Sequence, residues 1–288
     1  MAFVRFLKAN AIYVIWFCIY FTFAWWVLGA NWNSALIVSI IYAISIGIAL
    51  SPIGECILRF TEGCKPLQTK EETEYLLPLF EEVYQGAMEQ FPDLNREIQI
   101  YITDAMYVNA FAVGRKTVAV TRGAVATFSR EELKGVIAHE LGHMLHGHTK
   151  ALLITTVGNL IFTAIIFGIR IILHIAKLLC SITTKFTMVG WIFVFISFLL
   201  GLALDLSIFL FVNFGQMILS ENSRANEYQA DQFAHEIGYG ENLIKALYLL
   251  QKTVFQGKLS LSERLKASHP HLSERISRLE SLEEQVYV

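Results

Sequence analysis

Four long apolar stretches, set apart by polar segments, limit what this chain can fold into more than any other feature. They run from about Ala11 to Ala30, Ala35 to Leu50, Leu152 to Ile169 and Val189 to Leu210. The first two lie near the ~20 residues that cross the hydrocarbon of a bilayer, the second being somewhat short. Composition agrees: 55% of the 288 residues are hydrophobic and 17% charged, with a mean hydropathy of +0.49. A soluble domain carries about a quarter charged residues, so part of this chain is expected in lipid.

The first two stretches are separated only by the uncharged turn Asn31-Trp32-Asn33-Ser34. A cleaved signal peptide is the competing reading for the first. It is too long for such an apolar region, rich in Trp and Phe, and followed at once by another apolar segment. The reading is an uncleaved helical hairpin. Arg5 and Lys8 precede it, Arg59, Lys65 and Lys70 follow it, and the turn carries no basic residue. Positive charge stays on the cytoplasmic side, so both flanks and the domain after them are expected in the cytoplasm. The third and fourth stretches read as a second hairpin. There Arg170, Lys177 and Lys185 fall in the connecting loop, which conflicts with the same rule if both arms span. Asp205 within the fourth stretch has two readings, an ionisable group with a partner or water-filled space, and a group at the interface beyond the hydrocarbon.

The formal net charge of −2 and the lack of a basic stripe exclude nucleic acid as a partner. Cys18, Cys56, Cys64 and Cys180 form no C-x-x-C pair. They read as small hydrophobes or free thiols, not as a disulfide frame or a zinc finger.

Between the hairpins, about Thr61 to Lys150, lies a polar segment of mixed pattern. Glu71 to Gln90 reads as an amphipathic helix with Leu76, Leu79, Phe80 and Val83 on one stripe. Ile98, Ile100 and Ile102 alternate with polar residues, the period of a half-buried strand, and Thr117 to Thr121 is a second candidate strand. Asn109-Ala110-Phe111-Ala112-Val113-Gly114 between them reads as an edge strand and turn. Ser129 and Glu132 make a capping box opening a helix whose apolar positions include Leu133, Val136, Ile137 and Leu141.

Inside that helix stands His139-Glu140-Leu141-Gly142-His143. Residues four apart share a helical face, so both imidazoles can grip one ion from the same side. Glu140, one step round, can reach a water on that ion. This is the H-E-x-x-H spacing of zinc metalloproteases, with the glutamate as general base. Five-residue patterns also arise by chance, and two histidines on a helix are commonly ordinary packing; the helical context favours the metal. Gly142 costs about 1 kcal/mol against Ala inside a helix, which points to a backbone that must be approached closely. A catalytic zinc site needs a third protein ligand. In Ser223 to Asp231, Glu227 and Asp231 are four apart on one face. Glu227 can then ligate while Asp231 receives the other N–H of a ligand histidine. Taken alone, this pair would read as a solvent-facing acidic couple.

H-E-L-G-H followed, after a hydrophobic insertion, by S-R-x-x-E-x-x-A-D resembles the M48 family of zinc metallopeptidases, and the likeness covers nearly the whole chain. It implies an α-helical integral membrane protein of two helical hairpins with a mostly helical α+β zinc-metalloprotease domain, gluzincin-like, carrying a small β-sheet. The corresponding divisions are 1–60 (first hairpin), 61–150 (protease domain with the metal helix), 151–219 (second hairpin) and 220–288 (protease domain with the third ligand). It implies one Zn2+ per chain on His139, His143 and Glu227, with Glu140 catalytic. Asn109, Ala110 and Phe111 match the family's N-A-F-A-x-G segment, which implies an edge strand that pairs with extended substrate. Ser268-His269-Pro270-His271 resembles a late H-P element, which implies that His269 approaches the metal and stabilises the oxyanion; helix capping is the plainer alternative. Arg275 resembles a basic residue of the same element, without a defined role.

The resemblance further implies protein or peptide substrates, membrane or misfolded proteins among them, cut at a multi-pass protein of a bacterial inner membrane whose protease domain faces the cytoplasm, in quality control under stress. Partners are then the substrates and the lipid bilayer, with a homo-oligomer open. A prenyl-peptide (CAAX) protease of the same clan and a non-catalytic zinc-binding scaffold are the alternatives. His146 and His148 read as interfacial polar residues, since three ligands are already supplied. His174, His235 and His271 receive no role, and Ser273 to Gln285, with Glu and Arg interleaved, reads as a solvated surface helix.

Overall fold

The structure is a computed structural model that describes residues 30–150, 188–256 and 272–286, with isolated positions within 15–26 and 153–179. His269, His174, His271, Cys180, most of the first and third apolar stretches and the side chain of Asp205 lie outside the described residues. The chain divides into two compact units, Met1–Ile46 with Thr155–Ser220 and Gly47–Ile154 with Glu221–Val288.

The first unit holds most of α1 (Trp32–Ala49). Among the described residues this is the one helix long and apolar enough to cross a membrane by length and composition. Its outer surface is apolar: Trp32 is 91% exposed, and Leu36, Ile40 and Ile44 are exposed as well. Trp191, Phe193, Phe195 and Phe198 in the fourth apolar stretch are likewise exposed.

The second unit begins with α2 (Pro52–Thr61), capped by Ser51, whose side chain accepts from the Ile53 amide, with Pro52 in the first turn. Strand β1 (Cys64–Pro66) and helix α3 (Lys70–Gln90) follow, the latter opened by a Thr69–Glu72 capping box. The expected stripe of α3 is buried, Leu76 and Val83 completely. Strands β2 (Gln99–Thr103), β3 (Ala110–Val113) and β4 (Thr117–Thr121) complete a sheet of order β1-β2-β4-β3. β2 and β4 are parallel, while β1 and β3 join antiparallel. β4 is buried along its length, and β3 forms an edge with Phe111 opposite Ala119. Sequence periodicity does not reveal β1, which is only three residues long.

Helix α4 (Arg122–Thr127) leads to α5 (Arg130–Leu145), which carries the histidine pair and starts at the expected Ser129–Glu132 capping box. Among the described residues there follow α6 (Met188–Glu236), α7 (Gly240–Gln256) and α8 (Leu272–Val286). α5 packs against α3, α7, β3 and β4, so the metal helix sits within the core of this unit.

Two expectations are corrected. Sequence pattern predicts a separate helix from Asn222 to Gly238, but α6 runs without a break from the fourth apolar stretch through Asp231. No proline stands between Leu210 and Arg224, so nothing in the backbone stops the helix there. α8 is not a solvated surface helix. Ile276 and Leu279 are buried, as is Arg275 at 2% exposure. Two buried apolar positions suffice to seat an amphipathic helix when the residue beside them finds charged partners inside.

Candidate metal centre

The close approach of two helices builds the centre. A Cβ on Gly142 would lie 2.9 Å from the Cα of Ala230 and 3.1 Å from the Cβ of Phe233. Glycine therefore lets α5 meet the end of α6 backbone to backbone, as its cost in mid-helix leads one to expect. Ala230 sits between Glu227 and Asp231 in sequence, so this contact also delivers both carboxylates to the histidine face.

The ligand atoms of His139, His143 and Glu227 all lie within 4.8 Å of one another. The two Nε2 atoms are 3.2 Å apart. Glu227 places Oε2 3.4 Å from His139 Nε2 and Oε1 3.3 Å from His143 Nε2. The rings stand nearly perpendicular, at 85°. Two imidazole nitrogens and one carboxylate oxygen, converging in one place, are a donor set suited to a catalytic zinc with one position left open. Glu140 is 4% exposed, follows His139 in α5, and contributes no ligand atom to the trio.

The charges around the trio favour a cation. Among the described residues, Glu140, Glu227 and Asp231 are buried together with the guanidinium of Arg275. Buried carboxylates need cationic partners, and a metal ion is one such partner. Burial and the Arg275 charge both oppose protonation of His139, yet hydrogen bonds to Asp231 and Glu227 and the Glu227 charge outweigh them, holding its pKa up at about 9. Burial would likewise raise Asp231, but Arg275 and His139 keep its carboxyl below the ordinary value. A metal and a proton compete for the same nitrogen, so the residues present fit a dication.

The two imidazoles are held differently. His139 Nδ1 lies 2.9 Å from Asp231 Oδ1. Asp231 is gripped in turn by Arg275, through Nε at 2.8 Å and Nη2 at 2.6 Å, and Arg275 Nη1 lies 2.7 Å from Glu227 Oε2. On the other side His143 Nδ1 is 3.0 Å from His148 Nδ1, and His148 Nε2 is 3.0 Å from Gln229 Oε1. With His143 Nε2 turned to the trio, its Nδ1 carries the hydrogen and donates to His148, whose Nε2–H donates to Gln229. Burial, then the neighbouring His143, push the pKa of His148 down to about 4, which leaves its Nδ1 free to accept.

The sequence brought Glu227 and Asp231 to notice by their spacing. It passed over Arg275 as a partner and read His148 as an interfacial residue. Leu272, Ile276 and Leu279 at helical spacing mark a buried stripe beside Arg275, a signal that was available. For His148 no periodic signal exists. It lies beyond the end of α5, and Gly147 at φ +75° turns the chain so that the ring comes back to His143. His146 is exposed and stacks on His148. Ala110 and Phe111 open the edge strand that packs against α5, and Asn109 immediately precedes it.

Known proteins supply an independent comparison. The sequence profile described as Peptidase family M48 matches residues 71–283. The chain is 28% identical over 284 residues to Protease HtpX of Shewanella oneidensis, covering 88% of this chain and 92% of that relative. It is 29% identical over 206 residues to a Protease HtpX homolog of Desulfotalea psychrophila, covering 65% and 67%. Among solved structures, S. mikatae Ste24p aligns with a TM-score of 0.46 at 21% identity over 96% of this chain and 65% of that one. The profile match spans most of the chain and takes in both helices that build the cluster; the protein is a metalloprotease of peptidase family M48.

Proposed function

We propose that the chain is a membrane-bound zinc metalloendopeptidase that hydrolyses peptide bonds of membrane or misfolded proteins, in quality control of the bacterial inner membrane. The observation that carries the reading is the convergence of His139, His143 and Glu227 from two helices, with Glu140 buried beside them. Zinc bound there would polarise the scissile carbonyl and lower the pKa of water toward ~7. Glu140 takes the proton of the attacking water and later delivers it to the leaving amine, so that one water adds across the C–N bond. Asp231 and His148 orient the two imidazoles. Asn109, Ala110 and Phe111 offer backbone to an extended substrate, which suits a protease that reads main chain more than side chains. That β3 is both a sheet edge and packed against the metal helix supports this role. His269 is assigned the oxyanion.

The exposed apolar surfaces of Trp32–Ala49 and of 190–203 support membrane association through hairpins at 1–60 and 151–219, with the protease halves 61–150 and 220–288 in the cytoplasm. The test is cleavage of casein by detergent-purified protein, with and without a chelator, beside Glu140→Gln. The variant should keep its zinc and lose cleavage by about 10²- to 10⁴-fold, the range for a lost general base. Cleavage at the original rate would remove Glu140 from the role, whereas no cleavage by the original protein would favour a zinc-binding scaffold. A prenylated C-terminal peptide assayed in parallel separates the endopeptidase from a CAAX-type activity.

A further inference from the structure

Glu55 is buried at 6% exposure, lies far from the metal cluster in sequence, and takes no part in the chemistry above. Its carboxylate is spent on the turn that joins β3 to β4. Oε2 accepts from the Arg115 amide at 3.2 Å, and Oε1 accepts from the Lys116 amide at 3.1 Å and from Thr117 Oγ1 at 2.8 Å. The turn is shaped to admit it. Gly114 has φ +62°, and a Cβ there would lie 2.9 Å from the Glu55 carboxyl. The Gly114 carbonyl accepts from Thr149 Oγ1 at 2.6 Å, six residues beyond His143. The turn is therefore pinned from two sides, by α2 and by the segment that follows the metal helix.

That pinning matters because β3 has only four residues and one sheet neighbour. A short edge strand has little pairing of its own to hold its register, and a slip by one residue turns every side chain to the other face. We propose that Glu55, with Thr149, is a positioning residue for substrate: it fixes the β3 edge at the height beside α5 where an extended peptide must lie. The proposal rests on the reading of β3 as the substrate strand.

The experiment uses the full chain in detergent with two peptides sharing one cleavage site, one long enough to pair along β3 and one too short to do so. Glu55→Ala should raise KM for the long peptide by about tenfold with kcat nearly unchanged, since ground-state alignment is lost and not the chemistry. Bound zinc and turnover of the short peptide should match the original protein. Thr149→Val, nearly isosteric, should shift KM the same way by a smaller factor, and it decides the matter if Glu55→Ala does not fold. An unchanged KM, or an equal loss on both peptides, overturns the proposal. A long peptide N-methylated where it would pair with β3 separates the two readings. If the unmodified protein cleaves it as well as the parent peptide, the strand reading itself fails; if it does not and Glu55→Ala still behaves as the original, only the role of Glu55 fails.

Discussion

The two sides of the metal cluster solve the same problem with different chemistry. His139 is held by ions: Asp231 on its Nδ1, with Arg275 bridging Asp231 and Glu227. His143 is held by neutral groups, His148 and then Gln229. The first side is buried throughout, at 2–4% exposure for His139, Glu227, Asp231 and Arg275, whereas Gln229 is exposed. The difference follows from solvent. A charge sealed from water must be paired, and once paired it holds its partners strongly; an imidazole near the surface needs only one acceptor of the right tautomer.

Breaking the ionic side should have the largest effect. Arg275→Met removes the guanidinium that bridges Glu227 and Asp231 and should cost about 3–5 kcal/mol of stability in the metal-free protein. Chemical unfolding with and without zinc tests this, and a smaller cost with zinc present is expected because the metal neutralises the same carboxylates. A loss below ~1 kcal/mol would mean that the guanidinium does not hold the cluster. Next comes Asp231→Asn, which keeps the shape and removes the charge behind His139. Zinc affinity, read by competition with a chromophoric chelator, should fall about 10- to 100-fold. On the neutral side His148→Ala should weaken zinc by less than about tenfold, the scale of one neutral hydrogen bond near the surface. Equal losses from the last two substitutions would erase the asymmetry.

A pH profile sharpens the contrast without any substitution. His139 has a folded pKa of about 9, above the ordinary 6.5, so the folded metal-free protein holds an extra proton between those values. That contribution is complete below pH 6.5 and lost as pH rises through 9. His148 has a folded pKa of about 4, so its contribution is present above 6.5 and lost as pH falls through 4. The urea midpoint of metal-free protein should therefore peak near pH 6.5 and decline on both flanks. Zinc should remove the alkaline decline, because metal binding takes the nitrogen the proton held. An alkaline flank that is flat without metal would contradict the raised pKa of His139.

Much of this was legible before any coordinate. The α5 start at Ser129, the stripe of α3, the alternation of β2 and the edge strand at Ala110 are local patterns, written in residues a few positions apart. The pairing of Glu227 with Asp231 was legible for the same reason, as both lie on one turn of one helix. α8 misled because interleaved Glu and Arg look solvated when their partners are unknown. The Arg275 guanidinium is stable inside only because Asp231, 44 positions earlier, comes to meet it.

What the sequence by itself determined, then, is the set of local elements, the spacing of the candidate metal ligands and the apolar stretches, since period and capping act over one or two helical turns. Tertiary structure alone decided which groups stand behind each imidazole and what fixes the turn after β3. Those contacts join His143 to His148 across a glycine reversal, and Glu55 to Thr117 across 62 positions. No local propensity encodes them. They exist because buried donors and charges must find partners, and packing determines which partners are within reach.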